Sequence, residues 1–366
     1  MNIGIYNLHM SAMGGGEKLT LVLAGHLSLS HNVSLYCAEP VDVSSLEQFF
    51  HVDLSRVKVT PLNSTGPLSR LAARMRGTSG LHHYPQLRHL ELDVFINNSY
   101  GSGLMCPAKR GIFMCMFPHP TSPRVIDVIN SYSTVVAISK YSALWVRKRW
   151  GRSAEVIYPP CDDMGPPAPK EKIILSVGRF IADSNQDERH YKAQDLLLAT
   201  FKRMTDLHRQ GWELHLTGSA GTDRQSRTFV DTLRRNARGF PVIFDLNSRW
   251  EDMRELYRKA SIYWHATGYG FDADTYPSKQ EHFGISTVEA MSAAAVPVVY
   301  SNGGQKEIVT GQIDGCWWQN VDELVSQTRT LANDLALRSK LGQQAVISSK
   351  RFSREAFAAR VDNLVP

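Results

Sequence analysis

Two glutamates eight residues apart, Glu281 and Glu289, frame the densest group of chemically able residues in the sequence. Between them run His282, Phe283, Gly284 and Ile285, and Gly303, Gly304 and Glu307 follow. An ionised carboxylate accepts several hydrogen bonds, so it suits neighbouring hydroxyls on a ligand. The amides of Phe283, Gly284 and Ile285 precede or open a helix, where backbone donors without partners can point at a phosphate or a sugar. In isolation, two glutamates at this spacing also describe a solvated helix face. A second candidate is Gly14-Gly15-Gly16-Glu17, just after the first apolar run. Glycines there let the backbone approach a ligand and leave helix N-terminal amides open to an anion, or they serve a tight turn. The loop is neither a GxGxxG fingerprint nor a GxxxxGK[ST] phosphate loop.

Short apolar runs alternating with helical patterns must position these residues. Strands are expected at Ile3–Tyr6, Val33–Cys37, Val57–Thr60, Val94–Asn97, Gly111–Met116, Thr134–Ile138 and Glu155–Tyr158, with helices such as Glu17–Leu29 and Lys140–Trp150 between them. Nearly continuous apolar strands are the mark of parallel strands covered on both faces. Five prolines, Pro159, Pro160, Pro166, Pro167 and Pro169, then interrupt the pattern, which excludes a helix or a central strand. A second series follows, with strands at Ile173–Val177, Glu213–Leu216, Val242–Phe244, Ile262–His265 and Val296–Tyr300. Its helices include Ala193–Leu207, Glu251–Lys259 and Thr287–Ala295, and three more close the chain near Val321–Leu335, Leu337–Ser349 and Arg354–Leu364. The expectation is an α/β protein of two Rossmann-like doubly wound domains facing a central cleft, since such sheets bind ligands outside the carboxyl ends of their strands. The domains are expected at 1–160 and 173–351, joined by a Pro-rich linker at 161–172, with a C-terminal helix near 352–366 packing back on the first.

Composition narrows the class. A chain of 366 residues, 43% hydrophobic and 21% charged, is too long for one core and ordinary for a soluble protein. It has no run of 18 apolar residues, and Met1–Leu8 lacks the pattern of a secretory leader. Five scattered cysteines, Cys37, Cys106, Cys115, Cys161 and Cys316, without a CxxC pair, fit reduced thiols and argue against a disulfide scaffold or a zinc site. A cytoplasmic protein is expected. The net charge is +6, yet the window 61–160 holds 12 basic and 4 acidic residues, a local excess of +8. That half suggests an anionic partner. Within it, Arg70, Arg74 and Arg76 interleave with Leu68, Leu71, Ala72 and Met75, a basic amphipathic pattern that fits peripheral contact with a membrane or a solvated helix. The cations lack a recognition-helix or RNP pattern, so nucleic acid is not expected as a partner.

Taken together the motifs carry a resemblance. Glu281-x7-Glu289 with Phe283-Gly284 inside it, and Gly303-Gly304-x2-Glu307 after it, is similar to the family-4 retaining glycosyltransferases of GT-B fold. The likeness extends over most of the chain: Gly14-Gly15; Ala137-Ile138-Ser139-x2-Ser142; Val156-Ile157-Tyr158-Pro159-Pro160-x-Asp162; and Ser176-Val177-Gly178-Arg179 followed by Lys192 and Leu196-Leu197. The Glu-His-Phe-Gly-Ile form resembles mannosyltransferases that extend lipid-linked oligosaccharides, and bacterial relatives that build surface polysaccharides.

The resemblance implies a nucleotide-sugar donor, a glycan or lipid-linked acceptor, and no cofactor. Arg179 and Lys192 would neutralise the donor diphosphate, which gains negative charge as the glycosidic bond breaks. Glu289 would hold the ribose, and Glu281 with the Phe283, Gly284 and Ile285 backbone would orient the donor sugar. Gly14, Gly15 and Gly16 would meet the diphosphate from the first domain. A histidine near the transferred sugar is usual in the family, and His119, in Phe117-Pro118-His119-Pro120-Thr121, is the candidate. Asp272-Ala273-Asp274 has the form of the metal-holding triplet of GT-A enzymes. Here it falls in a Gly/Tyr-rich loop and reads as surface, so no metal is expected. The class most readily confused with this one is an NAD-dependent oxidoreductase, against which the absent GxGxxG counts.

Overall fold

In the computed structural model the described residues are 1–8, 10, 14–37, 40–62, 87, 90–181 and 192–366. They divide into two compact units, Met1–Pro160 with Arg354–Pro366, and Cys161–Ser353.

The first unit is built on a parallel sheet of β1 (Asn2–Tyr6), β2 (Asn32–Cys37), β3 (Val57–Pro61), β4 (Val94–Asn97), β5 (Arg110–Cys115), β6 (Thr134–Ala137) and β7 (Glu155–Val156). The order is β3-β2-β1-β4-β5-β6-β7, with Ile3 registered against both Val33 and Val94. Ile3, Ile5, Ile96, Ile112 and Val136 are fully buried, as two-sided cover requires. The helix Lys140–Trp150 begins where the Ser139 hydroxyl accepts the Ser142 N–H at 3.0 Å, and it ends at Gly151 in the left-handed region. The last helix, Arg354–Leu364, belongs to this unit. It buries Phe357, Val361 and Leu364, Arg354 donates to the carbonyls of Phe50 and His51, and His26 meets Asp362 at 2.6 Å.

The second unit repeats the plan with β8 (Ile173–Val177), β9 (Glu213–Gly218), β10 (Val242–Leu246), β11 (Ile262–His265), β12 (Val296–Tyr300) and β13 (Cys316–Trp318), all parallel, in the order β10-β9-β8-β11-β12-β13. Trp212, Trp264 and Trp318 anchor its core, and the Trp264 indole N–H donates to the Thr328 hydroxyl at 2.9 Å. In each sheet the strand order reverses once, between β1 and β4 and between β8 and β11. That reversal leaves a crevice at the carboxyl ends of those strands.

Three local expectations are corrected. Residues 161–172, expected as a linker, pack on the second unit. Met164 is buried, its N–H donates to the Ser292 hydroxyl at 3.0 Å, and Lys170 Nζ donates to the carbonyls of Arg258, Ala260 and Ala293. Prolines bar helix and central strand, but an extended strap remains open to them. The helix expected over 193–207 is two, Gln194–Lys202 and Thr205–Arg209, because the chain turns at Arg203 and Met204 to bury Met204. The three-residue strand β13 was not among the expected strands.

Candidate functional site

A polar cluster of the second unit forms where β8 and β11 end. Past β8, the Gly178 N–H donates to the Thr217 carbonyl at 2.9 Å. Gly218, at φ +145°, lets β9 pass so close that any Cβ there would overlap the Gly178 carbonyl. Arg179 follows and is exposed; the buried Gln194 side-chain amide donates to its carbonyl at 3.1 Å. Along β11 side chains alternate, so Tyr263 and His265 share a face. The Tyr263 hydroxyl donates to Ser286 Oγ at 2.7 Å, and His265 Nε2 lies 3.0 Å from Glu281 Oε2. Lys192 Nζ donates to the same oxygen at 2.8 Å. Burial works to raise the Glu281 carboxyl, but the Lys192 charge and the His265 hydrogen bond outweigh it and hold it well below the usual range. His265 is only 5% exposed, and burial lowers its imidazole despite the neighbouring carboxylate. The ring is therefore neutral near pH 7. An ionised carboxylate only accepts, which assigns the ring proton to Nε2.

The segment 281–289 is held from behind by glycines. Gly303 has φ +56°, and a Cβ there would overlap the Glu281 carbonyl oxygen. The next amide, of Gly304, donates to that oxygen at 2.8 Å. Gly284, at φ +120°, caps the helix Ile285–Ser292 and leaves no room for a Cβ beside Gln305. Phe283 is buried against Phe352, ring centroids 5.3 Å apart, so its side chain is core and only its backbone can serve a ligand. One turn into the helix, Glu289 accepts the Tyr257 hydroxyl at 3.2 Å. Burial, then the charge of Glu289, pushes that phenol well above its ordinary value, so it stays a donor.

The other expected residues lie in the first unit. Gly14 caps the helix Gly15–Leu27, and its N–H donates to Glu17 Oε2 at 2.8 Å, the reciprocal arm of a capping box. Gly15 and Gly16 supply the first-turn amides of that helix, and a Cβ at Gly16 would come within 2.7 Å of Met116 Cε. His119 lies against Tyr100, ring centroids 4.2 Å apart, with its Nε2 buried and without a hydrogen-bond partner. Burial, then Arg149, lowers its pKa. Among the expected residues, the structure brings Lys192 and Glu281 into direct contact. It adds His265 and Tyr257, which sequence reasoning passed over: a histidine closing an apolar strand and a tyrosine in an amphipathic helix both read as core. The triplet Asp272-Ala273-Asp274 is exposed at both aspartates, and Asp272 Oδ1 closes its own turn by accepting the Thr275 N–H and hydroxyl at 2.8 and 2.6 Å. Among the described residues no group of three or more His, Cys, Asp or Glu could hold a metal ion. Arg70, Arg74, Arg76 and Arg88 lie outside the described residues, as does the charged stretch 182–191.

Residues 164–346, half of the chain, match the family model for glycosyl transferases group 1. The chain belongs to that family. This group 1 glycosyltransferase is 26% identical over 327 residues to the GDP-Man:Man(3)GlcNAc(2)-PP-Dol alpha-1,2-mannosyltransferase of Caenorhabditis elegans, covering 81% of the chain and 63% of that protein. Against the enzyme of the same name from Neurospora crassa it is 24% identical over 342 residues, with 80% and 56% covered. The chain thus spans little more than half the length of these relatives. Among solved structures it superposes on Anabaena Alr3699/HepE in complex with UDP and glucose with a TM-score of 0.71 at 16% identity, covering 100% of this chain and 99% of that one. A glycosyltransferase from Rickettsia africae gives 0.72 at 15% identity, with 99% and 97% covered. These neighbours share the GT-B fold. Among the described residues no helix is long and apolar enough to cross a membrane.

Proposed function

We propose that this glycosyltransferase moves a hexose, mannose from GDP-mannose, to a hydroxyl of a glycan or lipid-linked glycan, with retention of anomeric configuration and without a metal. The observation that carries the reading is the Lys192–Glu281–His265 cluster, which lies inside the family-matched segment at the strand-order reversal of its sheet. In this reading the bond from the sugar anomeric carbon to the diphosphate oxygen breaks, and its electron pair leaves with the diphosphate. Arg179 and Lys192 stabilise that charge. The acceptor oxygen bonds to the same face of the carbon, and its proton passes to the departing phosphate. Glu281 accepts hydroxyls of the transferred sugar, the amides of Phe283, Gly284 and Ile285 support it, and Glu289 takes the ribose diol. In the first unit, the first-turn amides of Gly15 and Gly16 are suited to an anion, whereas the Gly14 N–H is held by Glu17.

Mannose and the lipid-linked acceptor rest on the names of the curated relatives. The solved neighbour holding UDP and glucose supports a UDP-sugar as the second reading. A cytoplasmic protein, meeting a membrane through its basic first unit, accords with this acceptor. Transfer assays with GDP-mannose, UDP-glucose, UDP-galactose and UDP-N-acetylglucosamine, run with and without EDTA, test the reading. Transfer from GDP-mannose that persists in EDTA and gives an α-linked product by NMR is expected. A β-linked product overturns retention, loss in EDTA overturns metal independence, and hydride transfer to NAD without sugar transfer overturns the whole.

A further inference from the structure

His265 closes β11 with its ring buried in the same pocket as the carboxylate it touches. Its Nε2 is 3.0 Å from Glu281 Oε2, while its Nδ1 is buried with no hydrogen-bond partner. A buried ring nitrogen left bare is a cost that an apolar residue would avoid, so the ring is retained for what Nε2 does. Glu281 itself is 16% exposed and hangs from a loop between β11 and the helix Ile285–Ser292. Lys192 reaches it on a long, rotatable side chain that is 24% exposed and that follows the stretch 182–191. The strand residue is the rigid partner of the two.

We infer that His265 is a positioning residue for glycosyl transfer: its Nε2–H fixes the Glu281 carboxylate in the orientation that meets the donor sugar. This rests on the donor-sugar role proposed for Glu281. A neutral donor suits the task better than a second cation would. It orients the carboxylate by a hydrogen bond without adding a further charge to the Lys192–Glu281 pair.

Side-chain geometry supplies the test. The amide nitrogen of glutamine falls where imidazole Nε2 lies, and that of asparagine falls near Nδ1. The full chain is compared as wild type, His265→Gln, His265→Asn and His265→Leu, by kcat and KM for the donor and by affinity for the nucleoside diphosphate alone. The expected result is a 10- to 100-fold loss of kcat/KM in the Asn and Leu variants and recovery to within about fivefold in the Gln variant, in line with a supporting-residue effect. Nucleoside diphosphate affinity should stay within about twofold throughout, which also shows that the variants fold. Wild-type turnover with unchanged kcat/KM in the Leu variant overturns the inference and leaves the glycosyl-transfer reading standing, as does a Gln variant no better than Asn. Equal loss of diphosphate affinity and kcat/KM reduces His265 to a core residue and overturns it too. A wild type that turns over no sugar nucleotide overturns the glycosyl-transfer reading, and this inference with it.

Discussion

Arg179 and Lys192 are proposed to share one task, yet their surroundings differ, and so should the consequences of losing them. Arg179 is exposed, whereas Lys192 neutralises a largely buried carboxylate at 2.8 Å. Arg179→Ala should lower turnover on the order of 10²-fold with the melting temperature unchanged, as for loss of one electrostatic contact to the transition state. Lys192→Ala should lower turnover comparably and destabilise the fold as well, because Glu281 then keeps its charge with only a neutral donor beside it. Combining it with Glu281→Gln should restore the melting temperature but not the activity. The pH dependence follows from the same pair. The folded carboxyl lies well below its unfolded value of about 4.3, so its stabilisation is complete above that pH and is lost as pH falls through the folded value. The stability gap between wild type and Lys192→Ala should therefore close in acid, and a gap that persists there would contradict the pairing. Glu281 stood out in the sequence beside Phe283-Gly284, and Lys192 only through the family resemblance; their contact is seen in the structure. His265 and Tyr257 did not stand out, because a polar group inside an apolar element reveals itself only through its partner.

At the scale of elements, the strands flanking the site were legible almost to the residue: β8, β11 and β12 have the expected limits, because a buried parallel strand is an unbroken apolar run. The strand β13 was hidden, since three residues carry no period. The break between Gln194–Lys202 and Thr205–Arg209 was also hidden, since no Gly or Pro marks it. What pattern cannot show is how tightly the loops are pressed together, and the glycines test that. Gly211 and Gly303 both have positive φ, +83° and +56°, but a Cβ on Gly211 meets nothing within 4 Å, whereas one on Gly303 overlaps the Glu281 carbonyl. Gly211→Ala should cost about 1–2 kcal/mol, the strain of a left-handed L-residue. Gly303→Ala should cost roughly twice that or more and impair donor binding, because the backbone bearing Glu281 must move. Urea unfolding of the two variants side by side gives the comparison, and equal costs would mean the 281–283 backbone has room to yield.

At the scale of the molecule, the doubly wound plan of the two units was legible from alternating strands and helices, whereas the prolines gave no sign that 161–172 would rest on the second unit. Proline content marks where regular structure stops; it does not say which unit the stopped segment rests on. Here 161–172 rests on the second unit. Met164 is buried against it, and burial pushes the Lys170 ammonium down to about 7 while three backbone carbonyls accept from its Nζ. Those carbonyls close the end of the helix Trp250–Lys259 and the turn after Ile285–Ser292. Without Lys170 they would need another partner. The strap is thus part of the fold of 161–353, which carries its own tryptophan core. A fragment spanning 161–353 should unfold cooperatively and at a higher temperature than one spanning 173–351, which lacks Met164 and Lys170. Within the longer fragment, Lys170→Met should remove a pH dependence of known sign. The folded ammonium has the lower pKa, so its burial destabilises the fold fully below about pH 7, and the penalty fades as pH rises towards about 10.4, where the unfolded lysine also loses its proton. Wild-type stability should therefore climb between those limits relative to the methionine variant. A flat difference would show that the three carbonyls hold the ammonium charged despite its burial.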